Sequence, residues 1–408
     1  KKRIYIGELL EIVHPSKERT EARCSHATLC GGCTWQQVSY AAQLDQKESY
    51  IKKLFPSFLS KIHPIIPCDA PWAYRNKMEF TFSQNKEGER FLGLIMTQTR
   101  GKVLNLQECH LTSSWVIPLL SAIRKWWEGT GLSAYHPSSD SGTFRTLTIR
   151  EGKRTSQKMV ILTVSGNQNF LLRNSHLEQF KKVILEMMNE EISIFLRIHR
   201  IQKGKPSDFY EMHLHGPAYL QEQIEIEKKI FIFNISPASF FQPNTLQAEK
   251  IYTRALELAA PTKGMEVYDL YCGIATLGII FAPYVKKVKG IELNPYAVCD
   301  AETNIEANNL SNIHVVKGDV GEFLSAIKDR PDLVIVDPPR SGLDPKAMEN
   351  LLRLQPKKIL YISCNPATQS NNILALSQKG YVVEALQPVD QFPHTPHLEN
   401  LALLTIEL

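Results

Sequence analysis

From about residue 231 onward, short apolar runs alternate with amphipathic stretches. The apolar runs are Met265–Leu270, Val288–Ile291, His314–Val316, Leu333–Val336, Ile359–Ile362, Tyr381–Leu386 and Leu401–Ile406. Thr245–Ala260 has helical spacing. Continuous apolar runs separated by helices predict strands buried on both faces of a parallel sheet. The last two runs lie too close together for a crossover helix, so an antiparallel edge is expected. Upstream the rhythm differs. Met78–Ser83 and Leu147–Arg150 alternate with period two, and Asn85–Gly88 and Glu151–Lys153 read as turns. Helices are predicted over residues 36–55, Trp115–Trp127 and His176–Met188. The resulting fold class is α/β: a seven-stranded Rossmann-like domain behind an α+β central domain.

Composition sharpens this picture. The chain has 408 residues, 43% of them apolar, enough for two or three domains with a full core. No run of about 18 apolar residues occurs, and the start lacks a signal-peptide core, so a cytoplasmic protein is expected. Residues 1–230 carry 32 Lys/Arg against 23 Asp/Glu, a net +9; residues 231–408 carry 15 against 19, a net −4. A basic front half fits contact with a polyanion, and the acidic back half fits chemistry.

The strand ends carry the candidate chemistry. Asp269, Glu292, Asp319 and Asp337 each close a strand, at the edge where open α/β sheets bind ligands. The turn at Tyr271-Cys272-Gly273 lacks the pattern of a pyrophosphate cradle. Glu292 is placed for a ribose diol and Asp319 for an adenine amino group. A nucleoside without pyrophosphate points to S-adenosylmethionine. Cys364, in Ser363-Cys364-Asn365-Pro366, follows another strand. A thiolate there can add to C6 of a pyrimidine and make C5 nucleophilic, provided that a base then removes the C5 proton. Glu399 is the candidate base, its pKa raised by enclosure, with His394 and His397 as rivals. Arg340 stands where amino-group methyltransferases carry an aromatic residue, which favours carbon over nitrogen methylation.

Cys24, Cys30 and Cys33 are clustered and Cys109 is a candidate fourth, with Cys68 its rival; such clustering suits a metal better than disulfides. Tyr74-Arg75-Asn76-Lys77, Ser239-Phe240-Phe241-Gln242-Pro243-Asn244, Asp269-Leu270-Tyr271-Cys272-Gly273, Asp337-Pro338-Pro339-Arg340, Ser363-Cys364-Asn365-Pro366 and Phe392-Pro393-His394-Thr395 through Glu399 follow in order. With the cysteine cluster, they make the chain resemble the RNA uracil-5 methyltransferase family, in particular its iron–sulfur-containing 23S rRNA branch. The resemblance implies Gln242, Tyr271, Glu292 and Asp337 as S-adenosylmethionine contacts, Cys364 as nucleophile and Glu399 as proton-removing base. It implies a [4Fe–4S] cluster on Cys24, Cys30, Cys33 and Cys109, with zinc on the same thiols as runner-up.

The expected domains are an N-terminal remnant over 1–23, a central iron–sulfur and RNA-binding domain over 24–35 and 67–230, and a catalytic methyltransferase domain over 36–66 and 231–408. Only 23 residues precede Cys24, so the family's full RNA-binding β-barrel is expected to be missing. The substrate implied is RNA, 23S rRNA favoured over tRNA, taken by a monomer without a membrane. RNA contacts are sought at Arg75, Lys77, Arg145, Arg150 and Arg197–Lys205, with Phe144 or Trp72 for stacking. Ala275 replaces a family glycine in the cofactor turn, and Thr276 stands where relatives carry Asn. A cytosine-5 methyltransferase is disfavoured, because no cysteine adjoins Asp337-Pro338-Pro339. A relict, non-catalytic RNA-binding iron–sulfur protein is the other alternative.

Overall fold

The computed structural model describes residues 7, 10–99, 101–188, 191–201 and 208–406. Part of the expected N-terminal apolar stretch, together with Lys203 and Lys205, lies outside them. Among the described residues no helix is long and apolar enough to cross a membrane.

The front half opens with helix α1 (Tyr40–Leu54), capped by the Ser39 hydroxyl on the Ala42 N–H. Seven strands then form one sheet: β1 (Lys77–Gln84), β2 (Arg90–Ile95), β3 (Val103–Asn105), β4 (Phe144–Glu151), β5 (Lys158–Ser165), β6 (Ile192–Arg200) and β7 (Asp208–His215). Their order is β3-β2-β1-β4-β5-β6-β7. Helices α2 (Val116–Thr130) and α3 (Asn174–Met187) close its core. The β5–β6 pair is parallel, which requires the α3 crossover between them; the other pairs are antiparallel. Phe144 is fully buried in this core beside Phe82, Trp126 and Trp127.

Hairpin β8 (Leu220–Ile226) and β9 (Lys229–Ile235) turns at Glu227 and Lys228, both left-handed. It straddles the expected boundary at residue 230 and packs on α4 (Thr245–Ala259) and α6 (Pro295–Ala307).

The second sheet holds β10 (Glu266–Leu270), β11 (Lys287–Glu292), β12 (Ile313–Lys317), β13 (Leu333–Val336), β14 (Lys358–Ser363), β15 (Val382–Val389) and β16 (Glu399–Thr405). Helices α5 (Thr276–Phe281), α6, α7 (Val320–Ala326), α8 (Pro345–Leu354) and α9 (Pro366–Ser377) connect them. The order is β12-β11-β10-β13-β14-β16-β15. All seven predicted strands are present, but the antiparallel strand is not at the edge. β16 inserts between β14 and β15 and is antiparallel to both. The burial pattern explains this. Glu399 to Leu404 are buried without interruption, as an interior strand requires, whereas β15 begins by alternating exposed and buried positions. The open side of β15 is then covered by isolated parallel bridges from Ile62 to Leu386 and from Ile66 to Val389.

α1 is fastened to the loop between β15 and β16. The Lys47 ammonium is wholly buried, 2.5 Å from Asp390 Oδ1, and it also donates to the Phe392 carbonyl. Tyr40 Oη donates to the other Asp390 oxygen at 2.7 Å.

Candidate active site

The antiparallel register of β14 and β16 builds the centre of the site. Ser363 pairs with Asn400, so the residue that follows β14 and the first residue of β16, Cys364 and Glu399, come to the same place. β13 is parallel to β14, and Asp337 follows directly on its last paired residue, Val336. These three line one cavity of about 490 Å3 together with Gln242, Asp269, Tyr271, Gly273, Thr276 and Arg340.

The strand-end loops are held by short-range bonds. Asn365 Nδ2 donates to the Arg340 carbonyl at 2.8 Å, tying the cysteine loop to the Asp-Pro-Pro-Arg loop. Gln369 bonds the Tyr361 and Asn400 carbonyls, fixing β14 against β16. Asn76 Nδ2 donates to the Gln242 carbonyl at 2.8 Å and the Thr245 hydroxyl at 2.9 Å, and its N–H to the Pro243 carbonyl. That anchors the Gln242 loop on β1. Gln242 Oε1 accepts from Gln391 Nε2, whose own Oε1 is buried without a partner.

Burial dominates the electrostatics. Glu399 is 3% exposed, and desolvation with the nearby Asp337 pushes its carboxyl well above the usual range, against a downward pull from Arg340. Asp337 is raised to about 7, and Asp269, beside the Gly278 N–H at 2.8 Å, also to about 7, both through desolvation. Burial raises the Cys364 thiol, as do Glu399 and Asp337, while the Arg340 guanidinium opposes them. Arg340 is thus the cation that favours the ionised forms of both groups.

Of the expected cofactor contacts, Gln242, Tyr271 and Asp337 line the cavity, and Glu292 adjoins it through the lining residue Gly273. The Glu292 carboxylate accepts the Gly273 N–H at 3.0 Å and the Asn294 N–H at 2.7 Å, so its orientation is fixed. Asp319 does not line the cavity. Its carboxylate caps α7 through the Glu322 N–H, a common use of Asp after a strand. Tyr252, buried on α4, and Phe240, 65% exposed at the rim, also line it; α4 periodicity alone gave no sign of the former. Ala275 is fully buried and left-handed, with φ +61°. His394 points elsewhere: it stacks on Trp72 at 3.7 Å and meets Gln43. His397 lines a second cavity that also reaches Cys364, not the first.

Cys24, Cys30, Cys33 and Cys109 surround one small hollow with Leu94, Leu106 and Leu111, and none forms a disulfide. The knot docks on the β2–β3 side of the first sheet through the Gly31 N–H to the Ile95 carbonyl. Cys68 lies apart, bonded to Asn244 and Ala70. Cys30 Sγ accepts from the Gly32 N–H at 3.4 Å, and Cys33 and Cys24 meet the Gln36 side chain and the His26 backbone; four thiols around one hollow fit the donor set of a tetrathiolate site. As the side chains stand, no group of three or more His, Cys, Asp or Glu among the described residues is arranged to hold a metal.

Three expected RNA contacts are otherwise engaged. Phe144 is a core residue and Trp72 is covered by His394. Arg150 is 4% exposed, its guanidinium given to the Pro237 and Ser239 carbonyls. Period-two alternation locates a strand but does not say which face is covered, and that is why the β4 position Arg150 misled. Arg197 pairs with Glu211, and Arg145 lies over the Tyr135 ring at 3.9 Å.

Residues 171–407 match the protein family described as tRNA (Uracil-5-)-methyltransferase. The chain is 48% identical over 419 residues to an uncharacterized RNA methyltransferase of Protochlamydia amoebophila, covering 98% of this chain and 95% of that protein. It is 33% identical over 408 residues to another of Caldanaerobacter subterraneus, with 98% and 88% covered. Among solved structures, the tRNA (uracil-54, C5)-methyltransferase of Pyrococcus abyssi in complex with S-adenosyl-L-homocysteine superposes with a TM-score of 0.74. Its identity is 26%, over 97% of this chain and 88% of that one.

Proposed function

Because the chain belongs to the tRNA (uracil-5-)-methyltransferase family, we propose that it methylates C5 of a uridine in RNA, 23S rRNA being the favoured target and the tRNA T-loop the alternative. The observation that carries this reading is the β14–β16 register, which brings a thiol and a buried carboxyl to one cavity.

S-adenosylmethionine, when bound, supplies an electrophilic methyl group. Gln242, Tyr271, Asp337 and the adjoining Glu292 would hold it; the buried carboxyls and the open space at Gly273 suit a cationic nucleoside. The Cys364 sulfur adds to C6 of the uracil, forming a C–S bond and placing the electron pair on the C4–O4 enolate. C5 would then take the methyl group as its bond to the sulfonium sulfur breaks, the donor leaving as the neutral thioether. Glu399 in its carboxylate form removes the C5 proton, the C5–C6 double bond re-forms, and the thiolate leaves. Arg340 helps both Cys364 and Glu399 reach the ionised forms this requires. A target in a folded RNA would have to leave its stack to reach Cys364.

The proposal includes a [4Fe–4S] cluster on Cys24, Cys30, Cys33 and Cys109, with zinc as the second reading; the shared hollow of the four thiols supports it. Its role would be structural, joining the knot to the Cys109 segment. Anaerobic purification with metal analysis separates the two: about four irons per chain with inorganic sulfide, or one zinc.

The test of the activity is mass spectrometry of 23S rRNA and tRNA fragments after incubation with methyl-labelled S-adenosylmethionine. Labelled 5-methyluridine in an rRNA fragment is the expected result. Label in tRNA alone would overturn the favoured target, and label in neither, with cofactor binding intact, would return weight to a relict RNA-binding protein.

A further inference from the structure

Cys364 lines two chambers. One is the cavity described above, with three carboxylates, Asp269, Asp337 and Glu399, in its wall. The other, of about 410 Å3, also reaches the thiol and lies between α1 and the loop before β16. Its wall includes Trp35, Gln46, Tyr50, Lys53 and His397, and it contains no carboxylate. Tyr50 is 42% exposed, and Lys53 is exposed with no carboxylate within ion-pairing distance among the described residues. The Lys47 ammonium in the same wall is neutralised by Asp390. His397 is held toward its neutral form by burial, with Arg340 adding to the effect, so it offers hydrogen bonds rather than charge.

A cationic methyl donor belongs in the acidic chamber. A polyanion belongs in the chamber with aromatic faces, an unpaired cation and no acids. The two reactants of a thiol-mediated methyl transfer must also reach Cys364 by separate routes. We propose that the α1 chamber is the RNA entrance: the nucleotide next to the target uridine stacks on Tyr50 or Trp35, and its phosphate lies on Lys53. This rests on the uridine-methylating reading above, and it names a recognition surface in α1 rather than in the first sheet.

The test is binding, so that it stays readable whichever RNA is the substrate. Lys53→Glu and Tyr50→Ala are compared with the wild-type chain using deproteinised bulk tRNA and 23S rRNA as probes. Lys182→Glu on α3, a side chain 73% exposed, is the charge control. S-adenosylhomocysteine affinity checks the fold of each variant. The expected result is a loss of RNA affinity of about tenfold for Tyr50→Ala and a similar loss for Lys53→Glu. The salt slope of binding should fall by about one for Lys53→Gln. Lys53→Arg should bind as wild type, and nucleoside affinity should not change. Ultraviolet crosslinks should map to residues 35–53. Unchanged RNA affinity in both variants, or crosslinks confined to β7 with its exposed Phe209 and Tyr210, would overturn the entrance while leaving methylation untouched. A wild-type chain that binds RNA through α1 yet makes no 5-methyluridine would instead overturn the activity alone.

Discussion

The two seven-stranded sheets differ in how their strands carry buried charge. In the first, most of the cations and acids under the surface have partners: Arg197 with Glu211, Arg154 with Glu249, Lys153 with Glu151, and Arg150 with two carbonyls, while Lys77, pushed down to about 8 by burial, is an exception. In the second, Asp269, Asp337 and Glu399 lie at strand ends with desolvation unopposed by a directly paired cation, and all three titrate high. Paired burial holds a fold in one arrangement, whereas unpaired burial raises the energy of an ionised group and keeps it reactive. The contrast marks the strand ends of the second sheet as the place to look for chemistry.

The most severe way to probe it is at the thiol. Cys364→Ala should lower methyl transfer by at least about 10^4-fold while S-adenosylhomocysteine still binds; turnover that survived would sink covalent catalysis. Glu399→Gln should lower turnover about 10^2–10^4-fold and leave a methylated RNA joined to Cys364, seen as a mass-shifted protein band. Absence of that adduct would move proton removal to another group. Lys47→Met tests paired burial where it occurs beside the second sheet, with Asp390 in the loop after β15. It strands Asp390 inside the protein and should destabilise it by about 3–5 kcal/mol in denaturant titrations; replacing both partners with apolar residues should recover much of the loss.

Arg340→Met removes the cation that lowers both Cys364 and Glu399. The pH at which kcat rises should therefore move upward, and a profile left in place would show that other charges set the thiol. Asp269→Asn is the mildest. A carboxyl raised by folding adds stability below its unfolded pKa, about 3.9, and that contribution is lost as pH climbs through its folded value near 7. The variant should flatten the decline in stability across that window, as measured by thermal melts at several pH values.

Much of the second sheet was legible because its strands are short apolar runs, most of them followed closely by a carboxylate or a thiol. The pairing of Cys364 with Glu399 was legible only as chemistry. Its geometric cause, β16 inserted between β14 and β15, depends on which of two buried strands loses its edge, and local spacing does not encode that. Asp319 shows the same limit from the other direction: an acid after a strand serves a helix cap as readily as a ligand. Arg150 misled because alternation marks a face without saying what lies against it.

The ladder from Ile62 and Ile66 to Leu386 and Val389 spans more than three quarters of the 408-residue chain. On a ribosome, α1 and the strip behind it emerge early, yet their docking sites are made last. The first sheet has time to fold as a unit while this early segment waits, its Lys47 still hydrated. Closing so distant a contact is slow relative to local pairing. Native protection of α1 in a pulse of hydrogen exchange should therefore appear after that of β4 and β5, although it is synthesised before them.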